Sequence, residues 1–303
     1  MRVVVLAGGT GGAALAAGIH GVAPEHELTV IANTADDDEF WGVLVCPDVD
    51  AVIYRLAGVF NDQAGYGVKD DTFQVLDSMD RIGEAAWFRI GDKDLATHLV
   101  RTGLLRRGRT LTEATRELCE RFGLTVRVLP MADEDVRTRF TTDAGELSFQ
   151  EYFVRERLAP RLQGIHFAGI DKAHATSEVL AALRDADLVV IGPSNPLISI
   201  APILALVRKH IAPERAVAVT PIVAGAALKG PTVEMMRAIG HEPSPVEVAR
   251  MYRDIAMTFV LDTRDAGLSE AIREMGYRTL VANTVMRDGG RALAEVLLAL
   301  RDV

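Results

Sequence analysis

Short runs of Val, Ile and Leu alternate with helical patterns along this chain, and this alternation limits the possible folds more than any other feature. The runs expected to form strands are Val3–Ala7, Leu28–Ala32, Leu188–Gly192, Ala216–Thr220, Phe259–Leu261 and Thr279–Ala282. They are apolar at nearly every position, which is typical of parallel strands that are covered on both faces. Helical patterns between them supply the covering layers. The alternation predicts an α/β fold with a doubly wound, mostly parallel, Rossmann-like sheet.

The middle of the chain departs from this alternation. Residues 50 to 122 are mainly helical in pattern, and the shorter runs Thr125–Pro130, Arg137–Thr142 and Glu146–Phe149 are predicted as antiparallel strands. No linker-like stretch separates this part from the rest of the chain. We therefore expect a single domain over residues 1–303, with a core of 1–49 and 160–303 and a mainly helical insertion at about 50–159.

Composition and charge exclude several classes of protein. The 303 residues are 49% hydrophobic and 25% charged, as in ordinary globular proteins, and the net charge is −9. This acidic balance argues against a general nucleic-acid binder, which needs a basic face. Cys46 and Cys119 are the only cysteines, so no disulfide framework is indicated.

The apolar stretch at 188–207 contains prolines and a polar turn, so it predicts strand, turn and helix rather than a membrane span. We expect a cytoplasmic, soluble protein.

The first strand runs directly into the glycine turn, Gly8-Gly9-Thr10-Gly11-Gly12, and a helix follows. Glycine has no Cβ, so backbone N–H groups there can approach a phosphate at the positive end of the helix. Residues 9–14 also match the loose dinucleotide pattern G-x-G-x-x-A, which alone is weak evidence. A tight strand-to-helix turn needs glycine as well. That structural explanation stays open, although we favour nucleotide or phosphate binding.

Acidic residues follow the second strand. The sequence NTADD at 33–37 ends in an acidic cluster that includes Asp37, and Asp48 and Asp50 come shortly afterwards. Open α/β sheets place ligands at the carboxyl ends of their strands, where carboxylates can hold a divalent cation or position a hydroxyl. A solvated loop is the alternative for Asp37. For Asp48 and Asp50 the alternative is that one of them N-caps the helix predicted at Ala51–Leu56, which would leave the other for a functional role.

Other candidate positions lie on later turns. Ser194 and Asn195 follow a central strand within a proline-stiffened turn, and both offer uncharged hydrogen-bond donors and acceptors. They are candidates for the rim of a pocket, and the alternative is that the turn is structural with Asn195 as a helix cap. Arg89 precedes a predicted helix and is a candidate partner for an anion or a carbonyl. Lys229 is long enough to reach a phosphate but is equally consistent with an exposed position. Four of the seven histidines, at 98, 166, 174 and 210, show no metal-ligand spacing, so packing or surface roles are expected for them.

Together these motifs resemble the 2-phospho-L-lactate transferase family of coenzyme F-420 biosynthesis. The resemblance covers nearly the whole chain as an ordered set of motifs. They are GGTGG at Gly8, NTADD at Asn33, CPDVDAVIYRLAG at Cys46, GDKDLATHLVRT at Gly91, LPMADEDVRTR at Leu129, FQEYFVR at Phe149, IGPSNPLISIAPIL at Ile191 and ALKGP at Ala227.

The resemblance implies an enzyme that transfers a phosphorus-containing group. In that family a phosphorylated three-carbon acid moves from a guanosine diphospho donor to the terminal ribityl hydroxyl of the deazaflavin Fo, and GMP is released. The acid is 2-phospho-L-lactate or a close analogue such as phosphoenolpyruvate or 3-phosphoglycerate, and the sequence leaves the choice open. The resemblance also implies dependence on Mg²⁺ and a homodimer.

Residue roles follow from the resemblance position by position. Asp50 and Arg89 fall where that family binds Fo, whereas the glycine turn, Ser194 and Asn195 fall near the donor nucleotide. Asp37 matches an acidic position connected with catalysis and metal binding, and Asp50 is the second candidate for both roles. The chain departs from the family just after the glycine turn, since residues 13–15 are Ala-Ala-Leu where Lys or Arg is common. No charged phosphate contact is therefore expected from that segment.

Two other functions share part of this pattern. A nucleotide-sugar-binding regulatory protein of the gluconeogenesis-factor type has the glycine turn and the strand-end acids, but a Gly- and Ser-rich segment follows those acids. In this chain Asp38-Glu39-Phe40-Trp41 follow instead. An NAD(P)-dependent oxidoreductase is the other alternative. Binding of Fo, of a UDP-sugar or of NAD(P) would separate the three.

Overall fold

A computed structural model describes residues 1–227 and 230–302 of the chain. Lys229, a residue of open role in the sequence, lies outside the described residues. The strands are β1 Arg2–Ala7, β2 Glu27–Ala32, β3 Asp38–Phe40, β4 Val43–Val45, β5 Arg127–Pro130, β6 Arg137–Thr142, β7 Gly145–Ser148, β8 Leu162–Ala168, β9 Leu188–Ile191, β10 Ala216–Val219, β11 Ile222–Val223, β12 Ala226–Ala227, β13 Thr258–Asp262 and β14 Arg278–Ala282. The α-helices are α1 Gly9–Val22, α2 Pro47–Leu56, α3 Gln74–Arg81, α4 Asp92–Arg106, α5 Leu111–Arg121, α6 Ser177–Asp185, α7 Ala201–Val207, α8 Thr232–Ala238, α9 Pro245–Met251, α10 Ser269–Arg273 and α11 Arg291–Leu298.

The centre of the molecule is a seven-stranded sheet in the order β14-β13-β10-β9-β1-β2-β5, with every neighbouring pair parallel. The chain runs from β1 outward through β2 to β5 and then returns to the other side of β1 to form β9. This reversal of direction between β1 and β9 is the arrangement of Rossmann-like sheets. The predicted α/β, doubly wound class is confirmed.

Helices cover both faces of this sheet, as its apolar strands require. Alternate side chains of β1 point to opposite faces because the period of a strand is two residues. Val3 and Val5 belong to the core beneath α1, α2 and α11, whereas Val4 and Leu6 belong to the core beneath α6, α7 and α9. All four side chains are 0–2% exposed, which explains why the strand is apolar at each position.

The segment predicted as an insertion is helical in its first part, where α2 to α5 lie, but one strand pairing differs from the prediction. The run Thr125–Pro130 was expected to pair antiparallel, which is wrong, because its strand β5 extends the central sheet parallel to β2. Antiparallel pairing is correct for β6 and β7, and β8 joins them on the other edge of β6. The proposed boundaries at about 50 and 159 stay a prediction. The segment between them contributes one strand to the central sheet.

A short hairpin leads from the second strand into this segment. β3 and β4 are joined by Trp41 and Gly42, which have φ angles of 51° and 76°. Two-residue hairpin turns favour positive φ at both positions because that twist matches the twist of the strands. Glycine adopts this conformation readily, whereas a large aromatic residue does so at a cost. The hairpin therefore holds Trp41 in a conformation that its side chain alone disfavours.

Candidate active site

The glycine turn and the turn after β9 lie against each other at the reversal point of the sheet. The hydroxyl oxygen of Ser194 accepts a hydrogen bond of 3.1 Å from the backbone N–H of Gly8. A Cβ on Gly11 would lie 2.3 Å from the backbone oxygen of Pro193, and one on Gly12 would lie 2.7 Å from Ser194 Oγ. The close approach of the two turns thus accounts for these glycines on structural grounds. It also forms the crevice in which such sheets bind their ligands.

Part of the glycine turn remains accessible. Gly9, Thr10 and Gly11 are half-buried, and a Cβ on Gly9 would meet no atom closer than 3.8 Å. Gly9 has a φ of 62°, in the left-handed region that glycine adopts without strain. No side chain in the described part of the chain accepts a hydrogen bond from the N–H of Thr10 or Gly11. These two groups belong to the first turn of α1, where N–H groups point towards a bound anion.

Asn195 has a structural role in the same region. Its side-chain oxygen accepts a hydrogen bond of 2.9 Å from the N–H of Leu197 and caps the π-helical turn Pro196–Ile200. Both interpretations of the sequence, helix cap and pocket rim, remain compatible with its position beside Ser194. Its contact with the donor nucleotide stays a prediction.

Asp48 joins the acidic cluster to the glycine turn. Its carboxylate accepts 2.5 Å from the N–H of Gly9 and 2.9 Å from the side-chain amide of Asn33. The sequence suggested that an acid here caps its own helix, but Asp48 instead satisfies the start of α1, and α2 begins at Pro47 with no side-chain cap. Burial raises the pKa of Asp48 to about 6, while the bonds from Asn33 and Gly9 lower it.

Asp36 and Asp37 are buried at the end of β2, so the solvated-loop interpretation is wrong for them. One carboxylate oxygen of each, Oδ1, is buried and has no hydrogen-bond partner among the described residues. Burial raises the pKa of both groups well above the ordinary value, and the charge of Asp48 adds to this for Asp36. Cys46, through a hydrogen bond, and the guanidinium of Arg137 lower the pKa of Asp37 in part. A buried carboxylate oxygen without a partner costs free energy unless a ligand, a proton or a cation engages it.

Asp50, predicted as an Fo-binding, catalytic and metal-binding residue, is paired with a cation. Both of its carboxylate oxygens face the guanidinium of Arg101, one of them at 3.1 Å from Nη1. The side chain of Arg101 is 0% exposed and that of Asp50 is 5% exposed. Burial alone would lower the pKa of Arg101, but the Asp50 carboxylate raises it above its ordinary value. The ion pair fixes the orientation of Asp50 from the side of α4.

This pair continues into a buried polar network that the sequence did not predict. His98 lies between two carboxylates, with Nδ1 at 3.5 Å from Asp50 and Nε2 at 3.3 Å from Asp94. The Tyr54 hydroxyl donates to Asp94 over 2.7 Å. The packing role expected for His98 is thus only partly right. A signal was available, because residues 94, 98 and 101 recur at the i, i+4, i+7 spacing of one helical face.

Among the described residues, one group of three side chains, Asp50, Asp94 and His98, brings its potential metal ligands within 4.8 Å of one another. Arg101 already places a cationic guanidinium against Asp50, and His98 directs its two nitrogens at different carboxylates. A second cation would be repelled from the same position. We therefore interpret the group as a buried polar network, in which Arg101 bonds to Asp50 and Tyr54 bonds to Asp94. The metal roles predicted for Asp37 and Asp50 stay predictions.

Arg89 is exposed on the connection between α3 and α4. It precedes α4, as expected, and its guanidinium carbon lies 4.3 Å from the centre of the Phe73 ring. Cation–π contact of this kind holds a guanidinium in place without using its five donors. The contact therefore leaves the N–H donors of Arg89 able to bond to a ligand. Its role in Fo binding stays a prediction.

The described residues contain no helix long and apolar enough to cross a membrane. The stretch at 188–207 that raised this question forms β9, a polar turn, a π-helical turn and α7, as predicted.

Comparisons with known proteins show the family of the chain. A family model described as "2-phospho-L-lactate transferase CofD" matches residues 3–295. A Methanococcoides burtonii protein named 2-phospho-L-lactate transferase is 39% identical over 287 residues, which cover 94% of each chain. A Streptomyces griseus protein named phosphoenolpyruvate transferase is 40% identical and covers 95% of this chain and 94% of its own. A crystal structure of a UPF0052 family member from Bacillus halodurans is similar in fold, with a TM-score of 0.66 at 15% identity over 98% of both chains. The chain belongs to the CofD family of 2-phospho-L-lactate transferases.

Proposed function

We propose that this transferase moves a phosphorylated three-carbon acid from a guanosine diphospho donor to the ribityl hydroxyl of the deazaflavin Fo and releases GMP, in coenzyme F-420 biosynthesis. One observation carries the proposal in a chain of this family. The open first turn of α1 and the buried acids after β2 lie side by side, joined by the hydrogen bond between Gly9 and Asp48. A phosphate cradle and an acidic cluster in contact suit transfer of a phosphorus-containing group.

The donor would bind at the glycine turn. The N–H groups of Thr10 and Gly11 and the positive end of α1 favour a diphosphate there. Residues 13–15 are Ala-Ala-Leu and carry no charge, so the backbone would supply these contacts. Ser194 and Asn195 line the facing turn and would contact the nucleotide from that side.

The site also fits a divalent cation. The buried, unpartnered oxygens of Asp36 and Asp37 are hard ligands of the type that Mg²⁺ binds. When bound, Mg²⁺ would neutralise charge that builds up on the diphosphate during transfer. Asp37 is the proposed ligand with an open oxygen. Asp50 remains the second proposed ligand, although it would have to share its charge with Arg101.

The chain's own side chains would manage the acceptor and its proton. The oxygen of the ribityl hydroxyl forms a bond to the phosphorus of the phosphorylated acid, the bond from that phosphorus to the GMP oxygen breaks, and GMP leaves with the electron pair. The hydroxyl proton must pass to a base. Asp37 suits this role because burial raises its pKa above that of an ordinary aspartate, which makes its carboxylate the stronger base. Asp50, held by Arg101, and Arg89 would position Fo.

The decisive experiment offers the protein Fo with each of three guanylylated donors, carrying phospholactate, phosphoenolpyruvate or phosphoglycerate, and identifies the product by mass. Relatives of both transferase names are about equally similar to this chain, so this assay also selects the acid. We expect one donor to yield product and GMP in equal amounts, with activity lost on chelation and restored by Mg²⁺. Full activity after rigorous chelation would contradict the metal role. Binding of a UDP-sugar or NAD(P) with no product from any donor would support one of the alternatives instead.

A further inference from the structure

Arg137 is a half-buried arginine beside the acidic cluster, and the proposed chemistry leaves it without a role. It begins β6, and the backbone N–H of the next residue, Thr138, donates 2.6 Å to the Ala35 oxygen in the loop after β2. The side-chain amide of Gln150, just after β7, donates 3.1 Å to the backbone oxygen of Asp36. These two bonds fix the small sheet of β6, β7 and β8 against the acidic cluster.

The side chain of Arg137 lies on the face of β6 that is turned away from the core. Thr138 and Phe140 are 1% and 0% exposed, whereas Arg137 and Arg139 are half-buried. Residues two apart on a strand share a face. Arg139 lines a cleft together with Asp38, so the face that carries both arginines is turned towards the end of the acidic cluster.

The charge of Arg137 acts on Asp37. Burial raises the pKa of Asp37, and the guanidinium of Arg137 opposes this rise more than the guanidinium of Arg101 does. Arg101 is 0% exposed and already faces both carboxylate oxygens of Asp50, so it has no side open to a ligand. Arg137 is therefore the cation that remains accessible beside Asp37.

The contacts that Arg137 makes are easily exchanged. Its Nη2 lies 2.6 Å from the carboxylate of Asp135, whose side chain is 71% exposed. Its Nη1 lies 3.4 Å from the backbone oxygen of Val136, which is a long and weak hydrogen bond. An ion pair with an exposed carboxylate contributes little because water competes with it. A ligand carboxylate could therefore replace Asp135 at small cost.

The proposed donor needs a cation at this place. Each of the three candidate acids carries a carboxylate, and in the proposed transfer the acid is attached to the phosphorus on the side away from GMP. The sheet order places β9, β1, β2 and β5 side by side, so the glycine turn, the acidic cluster and the segment after β5 follow one another along the same edge. A carboxylate near Asp36 and Asp37 would be repelled unless a cation met it.

We propose that Arg137 binds the carboxylate of the donor's three-carbon acid in exchange for Asp135; the inference rests on the proposed function. A guanidinium suits this ligand because its planar fork of N–H donors matches the two oxygens of a carboxylate. The glycine turn would hold the nucleotide and Arg137 the acid, with the attacked phosphorus between them at the acidic cluster. Arg137 would thus select donors that carry a carboxylate.

Calorimetry on the full chain with Mg²⁺ and without Fo, so that no transfer occurs, compares three ligands. They are the donor that yields product with Fo, an analogue in which a neutral hydroxymethyl group replaces its carboxylate, and GMP. The wild type should bind the donor about tenfold or more tightly than the analogue, the usual effect of a hydrogen-bonded charge. Arg137→Gln should remove this preference and leave the affinities for the analogue and GMP unchanged. Arg137→Lys, which keeps the charge but not the fork, should fall in between.

Two controls separate ligand binding from a structural role. Asp135→Asn breaks the same ion pair from the other side but keeps the guanidinium, so its affinity for the donor should equal or exceed that of the wild type. Arg161→Gln removes an arginine just before β8 that is 77% exposed and lies 4.0 Å from the carboxylate of Asp143, and all three affinities should be unchanged. Circular dichroism and melting of each variant establish that it is folded.

Three results would overturn the inference. One is a folded Arg137→Gln protein that still prefers the donor to the analogue as strongly as the wild type does. Another is an equal loss of affinity for donor and analogue, because Arg137 would then bind the phosphate. The third is the same loss in Asp135→Asn, which would assign the effect to the ion pair. Failure of the wild type to form product from Fo and any of the three donors would instead overturn the proposed function.

Discussion

Arg101→Met should be among the most destabilising substitutions in this protein. The change keeps a long, unbranched apolar side chain but removes the guanidinium that faces both oxygens of Asp50. Arg101 is 0% exposed, so no water can replace the lost donors without opening the packing between α2 and α4. The carboxylate of Asp50 would be left buried and charged.

The magnitude follows from that geometry. Breaking a buried ion pair by removing one partner costs about 3–5 kcal/mol. Two unit charges about 4 Å apart at an effective dielectric constant of about 20 interact by roughly 4 kcal/mol, which agrees. The hydrogen bond to the Leu44 carbonyl oxygen, 3.4 Å long, is weak and adds little. Against a total stability of about 5–15 kcal/mol, the loss is from about a fifth to nearly all of the free energy of unfolding.

Urea unfolding followed by circular dichroism measures the free energy of unfolding directly. Arg106→Met is the matched control on the same helix, because Arg106 is exposed and, within the described part of the chain, donates only to the Gly42 carbonyl oxygen. A change within about 1 kcal/mol is expected. The double variant Arg101→Met with Asp50→Asn should recover part of the loss, since the buried charge is then gone.

Two results would refute this reasoning. One is an Arg101→Met protein with an unfolding free energy within about 1 kcal/mol of the wild type. The other is a double variant that is no more stable than the Arg101→Met single variant, because the cost would then come from lost packing and not from the unpaired carboxylate.

Three further outcomes are expected. Gly11→Ala should lower the unfolding free energy by about 1–3 kcal/mol, because the new Cβ would lie 2.3 Å from a backbone oxygen. The control Gly21→Ala is on the same helix with its nearest neighbour at 3.5 Å, and it should be neutral or slightly stabilising. Equal melting temperatures of the two variants would contradict the steric argument. The free energy of unfolding should increase by about 1–3 kcal/mol as the pH falls from about 7 to about 5, because the folded-state pKa of Asp48 is raised to about 6 and the folded state then binds more protons than the unfolded chain. Urea unfolding across this range should show a smaller increase in the Asp48→Asn variant. An unchanged increase in that variant would show that other groups cause it. Asp37→Asn should lower kcat by about a hundredfold or more with little effect on donor affinity. The control Asp185→Asn, on a partly exposed residue, should match the wild type in steady-state assays. An active Asp37→Asn enzyme would remove Asp37 from the proposed chemistry.

The sequence was sufficient for the class of the fold and for the two segments that meet at the reversal point of its sheet. A strand buried on both faces must be apolar throughout, so β1, β2, β9 and β10 could be recognised from composition alone. The glycine turn could be recognised because a tight strand-to-helix connection and a close approach both require residues without a Cβ. Once the sheet is parallel, the carboxyl ends of its strands share an edge, which predicts that the glycine turn and the acids after β2 are neighbours.

The tertiary structure decided which groups pair with which. Residues 127–130 have the pattern of a strand, but nothing within the run specifies β2 as its partner. Asp48 and Asp50 are equivalent in the sequence, yet one bonds to Gly9 and the other to Arg101. Those partners lie 39 and 51 residues away. Periodicity and capping act over a few residues, whereas the environment of a buried charge depends on the path of the whole chain. The sequence by itself therefore determined the helices and strands, and the folded structure determined the chemical state of the side chains between them.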